Sequence, residues 1–117
     1  MEYGALIKRT LGHLGCEIEI EPGRLIAGNA GLMVSKVIYV KSGEGRDFLI
    51  IDGAMNDLIR PSLYSAWQNI VPVKPHDADC REWDIVGPVC ETGDFLGKDR
   101  ALSLETGDLL AVRSAGA

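Results

Sequence analysis

Met33-Val34-Ser35-Lys36-Val37-Ile38-Tyr39-Val40, followed by Ser42-Gly43-Glu44-Gly45 and Phe48-Leu49-Ile50-Ile51, decides the fold of this chain. The first run is rich in β-branched residues, which suit a pleated surface, and the last is a short apolar strand. The glycines between them supply a hairpin turn. Gly43-Glu44-Gly45 is no dinucleotide loop, because it joins two strands, lacks a third glycine and opens no helix. Working outward, residues 70–73, 82–89 and 108–112 read as further short strands, and residues 74–81 as a polar loop.

Upstream, Tyr3, Leu6, Ile7, Leu11 and Leu14 recur at helical spacing, so residues 2–14 read as one amphipathic helix ended by Gly15. Cys16-Glu17-Ile18-Glu19-Ile20 alternates as a half-buried strand does. Residues 25–32 are apolar and Gly-rich, and residues 56–67 read as a short helical segment with Pro61 in its first turn. The expectation is a mainly β fold with an N-terminal helix, its short strands closing a barrel or stacking as a sandwich.

Composition excludes several functions. The formal net charge is −5 and the basic residues form no stripe, which argues against nucleic acid as a partner. No apolar run approaches the roughly 20 residues of a membrane span, so the expectation is a soluble protein without a membrane partner. Cys16, Cys80 and Cys90 are an odd set without Cys-x-x-Cys spacing, which fits a reducing, cytoplasmic setting better than a disulfide framework. His13 and His76 lie in no metal-ligand pattern, so no metal site is expected.

Three polar islands remain. Glu21-Pro22-Gly23-Arg24 follows the alternating segment. Gly lets a backbone N–H approach an anion and Arg offers a fork matched to phosphate, although for a lone tetrapeptide an ordinary surface turn with an exposed Arg is the plainer account. Arg60 and Tyr64 lie four apart and would share a face of a helical turn. A cation beside a phenol can clamp a carboxylate, or the Arg stem can merely pack on the ring. Cys90-Glu91-Thr92-Gly93-Asp94 sets a thiol beside two carboxylates after the apolar run Ile85-Val86-Gly87-Pro88-Val89. Gly93 would allow a turn that presents the acidic pair outward; the plainer alternative is a packing cysteine with an acidic turn attached.

In their order along the chain, Glu-Pro-Gly-Arg, Ile59-Arg60-Pro61-Ser62-Leu63-Tyr64 and Gly87-Pro88-Val89-Cys90-Glu91-Thr92-Gly93-Asp94 resemble the pyridoxal-phosphate-dependent diaminopimelate decarboxylases. Ala27-Gly28-Asn29-Ala30-Gly31 and Gly107-Asp108-Leu109-Leu110-Ala111-Val112 extend the likeness over nearly the whole chain. The resemblance implies a parent with a (β/α)8 barrel, a C-terminal β-domain and a homodimer with a shared active site. Residues 1–24 would be the last helix and strand of the barrel, and 25–117 a truncated β-domain.

The resemblance also implies roles. Glu21 would face the ring nitrogen of pyridoxal 5'-phosphate, with Pro22, Gly23 and Arg24 around the cofactor phosphate. Arg24, Arg60 and Tyr64 would contact a substrate carboxylate, and Glu91 the distal amino group. Cys90 would be the catalytic proton donor, since an ordinary thiol with a pKa of about 8.5 keeps its proton at neutral pH. The implied reaction converts meso-diaminopimelate to L-lysine and CO2 in lysine biosynthesis. None of Lys8, Lys36, Lys41, Lys74 or Lys98 matches the family's cofactor lysine, and the family continues past Ala117 with a tyrosine. The chain is therefore expected to be an inactive piece of the enzyme. The alternatives are an ornithine- or arginine-type decarboxylase of the same fold, or a β-domain that serves only in dimerisation.

Overall fold

A computed structural model of the chain describes residues 2–75, 77 and 79–117. The hairpin forms where the sequence places it. β1 (Leu32–Ser42) pairs antiparallel with β2 (Asp47–Ile51), and Gly43 N–H donates to Arg46 O at 3.0 Å across the turn. Gly45 sits at φ 89°, a backbone region in which a side chain is strained.

The other strands are β3 (Ile70–Pro72), β4 (Arg81–Val86), β5 (Phe95–Leu102) and β6 (Leu109–Arg113). They form one six-stranded sheet in the order β3-β6-β1-β2-β4-β5, antiparallel except for the β2–β4 pair. Its edges β3 and β5 touch, so the sheet rolls into a nearly closed barrel rather than a sandwich. Val37, Leu49, Ile51, Trp83, Ile85, Leu96, Leu110 and Val112 fill the interior.

Bulges set which side chains enter. The β1–β2 register shifts between Val37 and Tyr39, so Ile38 and Tyr39 are exposed in succession and the β-branched run does not bury one continuous face. Between β4 and β5 the register runs from Trp83↔Arg100 to Ile85↔Gly97, giving β5 an extra residue. Asp99 there adopts φ 53° and donates its N–H to the buried Asp84 at 3.0 Å. Arg46 donates to the same carboxylate at 2.7 Å, which raises the guanidinium's pKa.

α1 (Glu2–Leu11) continues as a 3-10 turn, Gly12–Leu14, and stops at Gly15 with φ 66°. It buries no residue, and Tyr3, Leu6, Leu11 and Leu14 are exposed. Residues 16–20 form no strand, against the sequence expectation. Their alternation is real, but a strand needs a partner, and none of the described residues pairs with them. This projecting segment contributes to overall dimensions of 59 × 29 × 22 Å.

Three further segments take a form that the sequence left open or overextended. The apolar stretch after residue 24 folds as α2 (Arg24–Ala27) and a 3-10 turn, Gly28–Ala30. The helix expected over residues 56–67 is confined to α3 (Arg60–Tyr64), with Pro61 in its first turn and Ser65 at φ 50° ending it. The strand expected over 82–89 stops at Val86, before Gly87 and Pro88, because Pro cannot donate to the ladder. His76 lies outside the described residues, and no described helix is long and apolar enough to cross a membrane.

Candidate functional site

The three polar islands fall on two places. Glu21, Pro22 and Gly23 are exposed and irregular. Gly23 caps α2, its carbonyl accepting the N–H groups of Ile26 and Ala27 at 3.1 and 3.0 Å. Arg24 lies along the C-terminal segment and donates from Nη1 to Ala117 O at 2.7 Å and from Nη2 to Ser114 O at 3.4 Å. Nothing lies within 4 Å of the position a Gly23 side chain would take, so this backbone is open to an approaching group. A carboxylate, an accessible glycine and an arginine fit one wall of a site for pyridoxal phosphate, whose ring nitrogen and phosphate call for those groups.

The second place joins the other two islands. Arg60 opens α3 and lies over the Tyr64 ring, its Cζ 5.2 Å from the centroid, so the two do share a face. Arg60 Nε is buried without a hydrogen-bond partner among the described residues, while Tyr64 is exposed. Cys90 is a free, exposed thiol in the loop between β4 and β5. Glu91 beside it is exposed and accepts the Thr92 hydroxyl at 3.0 Å.

Asp94 behaves otherwise than its acidic neighbour. The expectation was an outward-facing pair, yet Asp94 is only 3 % exposed. Its Oδ1 accepts Met55 N–H at 2.6 Å and its Oδ2 accepts Val89 N–H at 2.9 Å. A buried carboxylate persists only when its oxygens are satisfied, and backbone N–H groups satisfy both. Met55 belongs to the turn that leads into α3, so Asp94 ties the Cys90–Glu91 loop to the element carrying Arg60 and Tyr64. Ser62 on α3 adds a second tie, donating to Phe95 O at 3.0 Å.

Gly87 completes the joint. A Cβ there would overlap Asp94 Oδ2 and stand 2.7 Å from both Ala54 Cα and Gly53 O. Asp94 and Gly87 bracket the motif in sequence, and a short acidic residue closing a Gly-containing turn commonly accepts backbone N–H groups. That signal was available. Ser35 and Asp52, which fix the other end of the turn, carried none, because their partnership depends on the register of β1.

Between α3 and β5 lies a groove of about 260 Å³, lined by Ser62, Trp67, Thr92, Phe95, Lys98 and Arg100 among others. Arg100 Cζ stacks 4.6 Å from the Trp67 ring centroid, and burial pulls its guanidinium's pKa down. The Arg24 wall is joined to this region through one atom. Ser114 O accepts from Arg24 and also from Gln68 Nε2, four residues after Tyr64, at 2.9 Å.

Comparison with known proteins places these features in a family. The sequence model described as "Pyridoxal-dependent decarboxylase, C-terminal sheet domain" matches residues 17–116. The chain is 58 % identical over 117 residues to a diaminopimelate decarboxylase of Vibrio cholerae, covering 99 % of this chain and 28 % of that protein. It is 54 % identical over 116 residues to one from Pseudomonas aeruginosa, again covering 28 % of that protein. The crystal structure of the Helicobacter pylori diaminopimelate decarboxylase complexed with L-lysine superposes with a TM-score of 0.80 at 39 % identity, over 99 % of this chain and 29 % of that one. The chain thus spans between a quarter and a third of the length of these relatives. A rolled six-stranded sheet that carries Cys90–Glu91 on one loop and Arg60–Tyr64 on a neighbouring helix belongs to the pyridoxal-dependent decarboxylases, as their C-terminal sheet domain.

Proposed function

We propose that this chain is the part of a diaminopimelate decarboxylase that supplies the substrate-reading and proton-donating side chains. The enzyme would convert meso-diaminopimelate to L-lysine and CO2 in lysine biosynthesis. The observation that carries the reading is 58 % identity over essentially the whole chain to a diaminopimelate decarboxylase, with Arg60, Tyr64, Cys90 and Glu91 held on two bonded elements. The H. pylori neighbour, solved with L-lysine, supports the same small-molecule class.

In this reading Glu21, Gly23 and Arg24 would hold part of the pyridoxal phosphate, with Pro22 stiffening the turn. Bound there, the cofactor would supply an electron sink for the pair left on carbon when CO2 departs. Arg60 and Tyr64 bind a substrate carboxylate, with Arg24 as a further contact, and Glu91 accepts the distal ammonium. Cys90 Sγ–H delivers a proton to the carbon that lost CO2, and the thiolate recovers a proton from solvent.

Residues 1–24 belong to the cofactor barrel and 25–117 to the sheet domain. The unburied stripe of α1 and the unpaired segment 16–20 support that division, since both want surfaces to pack on. The site is completed by a second subunit of a homodimer, for which the exposure of Cys90 and Glu91 leaves room. Three free cysteines support a cytoplasmic setting.

The test is a hybrid in which residues 1–117 replace the matching segment of the V. cholerae enzyme. The hybrid should release CO2 from meso-diaminopimelate and form L-lysine. A folded, cofactor-loaded hybrid that turns over ornithine in preference, or neither substrate, would overturn the assignment.

A further inference from the structure

We propose that Asp94 is the positioning residue of this site: its buried carboxylate locks the Cys90–Glu91 loop to the turn entering α3, so that both halves open and close together. The catalytic consequence rests on the decarboxylase reading above; the mechanical coupling stands without it.

Cys90 and Glu91 are poorly held by themselves. Both are exposed; Glu91 N–H donates to Val89 O at 2.8 Å and its carboxylate accepts the Thr92 hydroxyl, both near neighbours within the loop. What fixes the loop is Asp94. Its N–H donates to Glu91 O at 3.1 Å and its carbonyl accepts Gly87 N–H at 3.1 Å, closing the loop at its base. Its two carboxylate oxygens then point in different directions, one back to Val89 N–H inside the loop and one out to Met55 N–H.

The receiving turn is rigid. Asp57 and Leu58 N–H both donate to Ala54 O, and Asp57 Oδ2 accepts Ala54 N–H at 2.9 Å. Leu58 is buried in the core and pins the turn two residues before α3 begins. Gly87 brings the loop base against Ala54 and Gly53, so close that no side chain fits between them. Loop and turn therefore share a backbone contact and a charged bridge, and the Ser62–Phe95 bond joins α3 to the start of β5 beside them. A proton donor misplaced by about 1 Å costs on the order of 100-fold in rate, so this joint bears directly on Cys90.

Hydrogen exchange on the hybrid enzyme tests the coupling. At low denaturant, the amides of residues 53–58 and 89–92 in the unmodified hybrid should open with a common free energy. Asp94→Asn keeps the size but offers one acceptor where there were two. Both segments should then exchange at least about tenfold faster, the scale of one hydrogen bond to a charged acceptor, while β1 and β6 stay protected. Gly87→Ala, which pushes on the carboxylate from the other side, should release the same two segments.

A catalytic readout follows in D2O. Deuterium should enter the new methylene of L-lysine on one face in the hybrid and on both faces in Asp94→Asn, because the donor no longer holds its direction. Separate opening of the two segments, or faster exchange of 89–92 alone, would overturn the proposal. Full activity of a Cys90→Ala hybrid would overturn the functional reading instead and leave the exchange result standing.

Discussion

The Ser35 hydroxyl donates to Asp52 Oδ1 at 2.5 Å and itself accepts Gly53 N–H at 2.9 Å, tying β1 to the residue that leaves β2. Lys36 N–H reaches the same carboxylate oxygen at 2.8 Å. These bonds, that of Ser35 above all, hold the Asp52 carboxyl below its ordinary pKa. They also orient Gly53 and Ala54, the residues on which the Asp94 joint closes.

Asp52→Asn should therefore weaken the fold in a pH-dependent way. A carboxyl whose folded pKa is depressed contributes stability above its unfolded pKa, near 3.9, and loses it as pH falls through the lower folded value. Urea midpoints of the hybrid and its Asp52→Asn variant should differ at pH 6 and converge toward pH 3. A gap that stays constant with pH would show that the carboxylate's charge plays no part.

Trp83 is 3 % exposed, and its indole N–H donates to Leu102 O at 3.0 Å inside the barrel. Trp83→Phe removes that donor, strands a buried carbonyl and leaves a partial cavity. The combined cost is about 2–4 kcal/mol. Denaturant titration should report a loss of that order with an unchanged slope. The remaining tryptophan, Trp67, is 71 % exposed, so the variant's emission should sit further to the red.

Much of this architecture was legible beforehand because local rules agreed with the tertiary result. The hairpin at Gly43–Arg46, the helix stop at Gly15 and Pro61 at the head of α3 all follow from backbone chemistry that needs no partner. β5 was not legible. Lys98, Asp99 and Arg100 break its apolar pattern, and they fit because a bulge puts Asp99 at φ 53° under Asp84. Segment 16–20 failed in the opposite sense, since alternation without a pairing strand yields no sheet. The site divided likewise. Arg60 and Tyr64 share a face as their spacing requires, whereas the burial of Asp94 depends on Met55, 39 residues away in sequence.

Cys90 and Glu91 should separate kinetically. In the hybrid, Cys90→Ala removes a positioned general acid, and kcat should fall by about 100-fold or more with KM little changed. Glu91→Gln removes charge while retaining shape, and should raise KM for diaminopimelate more than it lowers kcat. Steady-state kinetics on both variants checks the pattern. An unchanged kcat in Cys90→Ala would assign the proton donor elsewhere.

Arg60 offers the most specific test of substrate choice. Its Nε is buried without a partner among the described residues and its guanidinium lies against the Tyr64 ring, so a fork is held in place with a donor still to satisfy. A carboxylate is the group that matches such a fork, and one hydrogen bond to a charged group is worth about 10- to 100-fold in affinity. Arg60→Met should raise KM for meso-diaminopimelate by that factor. Turnover of ornithine, which has no second carboxylate, should change far less. Tyr64→Phe keeps the ring beneath the guanidinium and should reproduce only a small part of the effect, whereas Tyr64→Ala should approach Arg60→Met by freeing the fork to swing. Equal losses on both substrates would mean that Arg60 supports the helix and does not read the distal carboxylate.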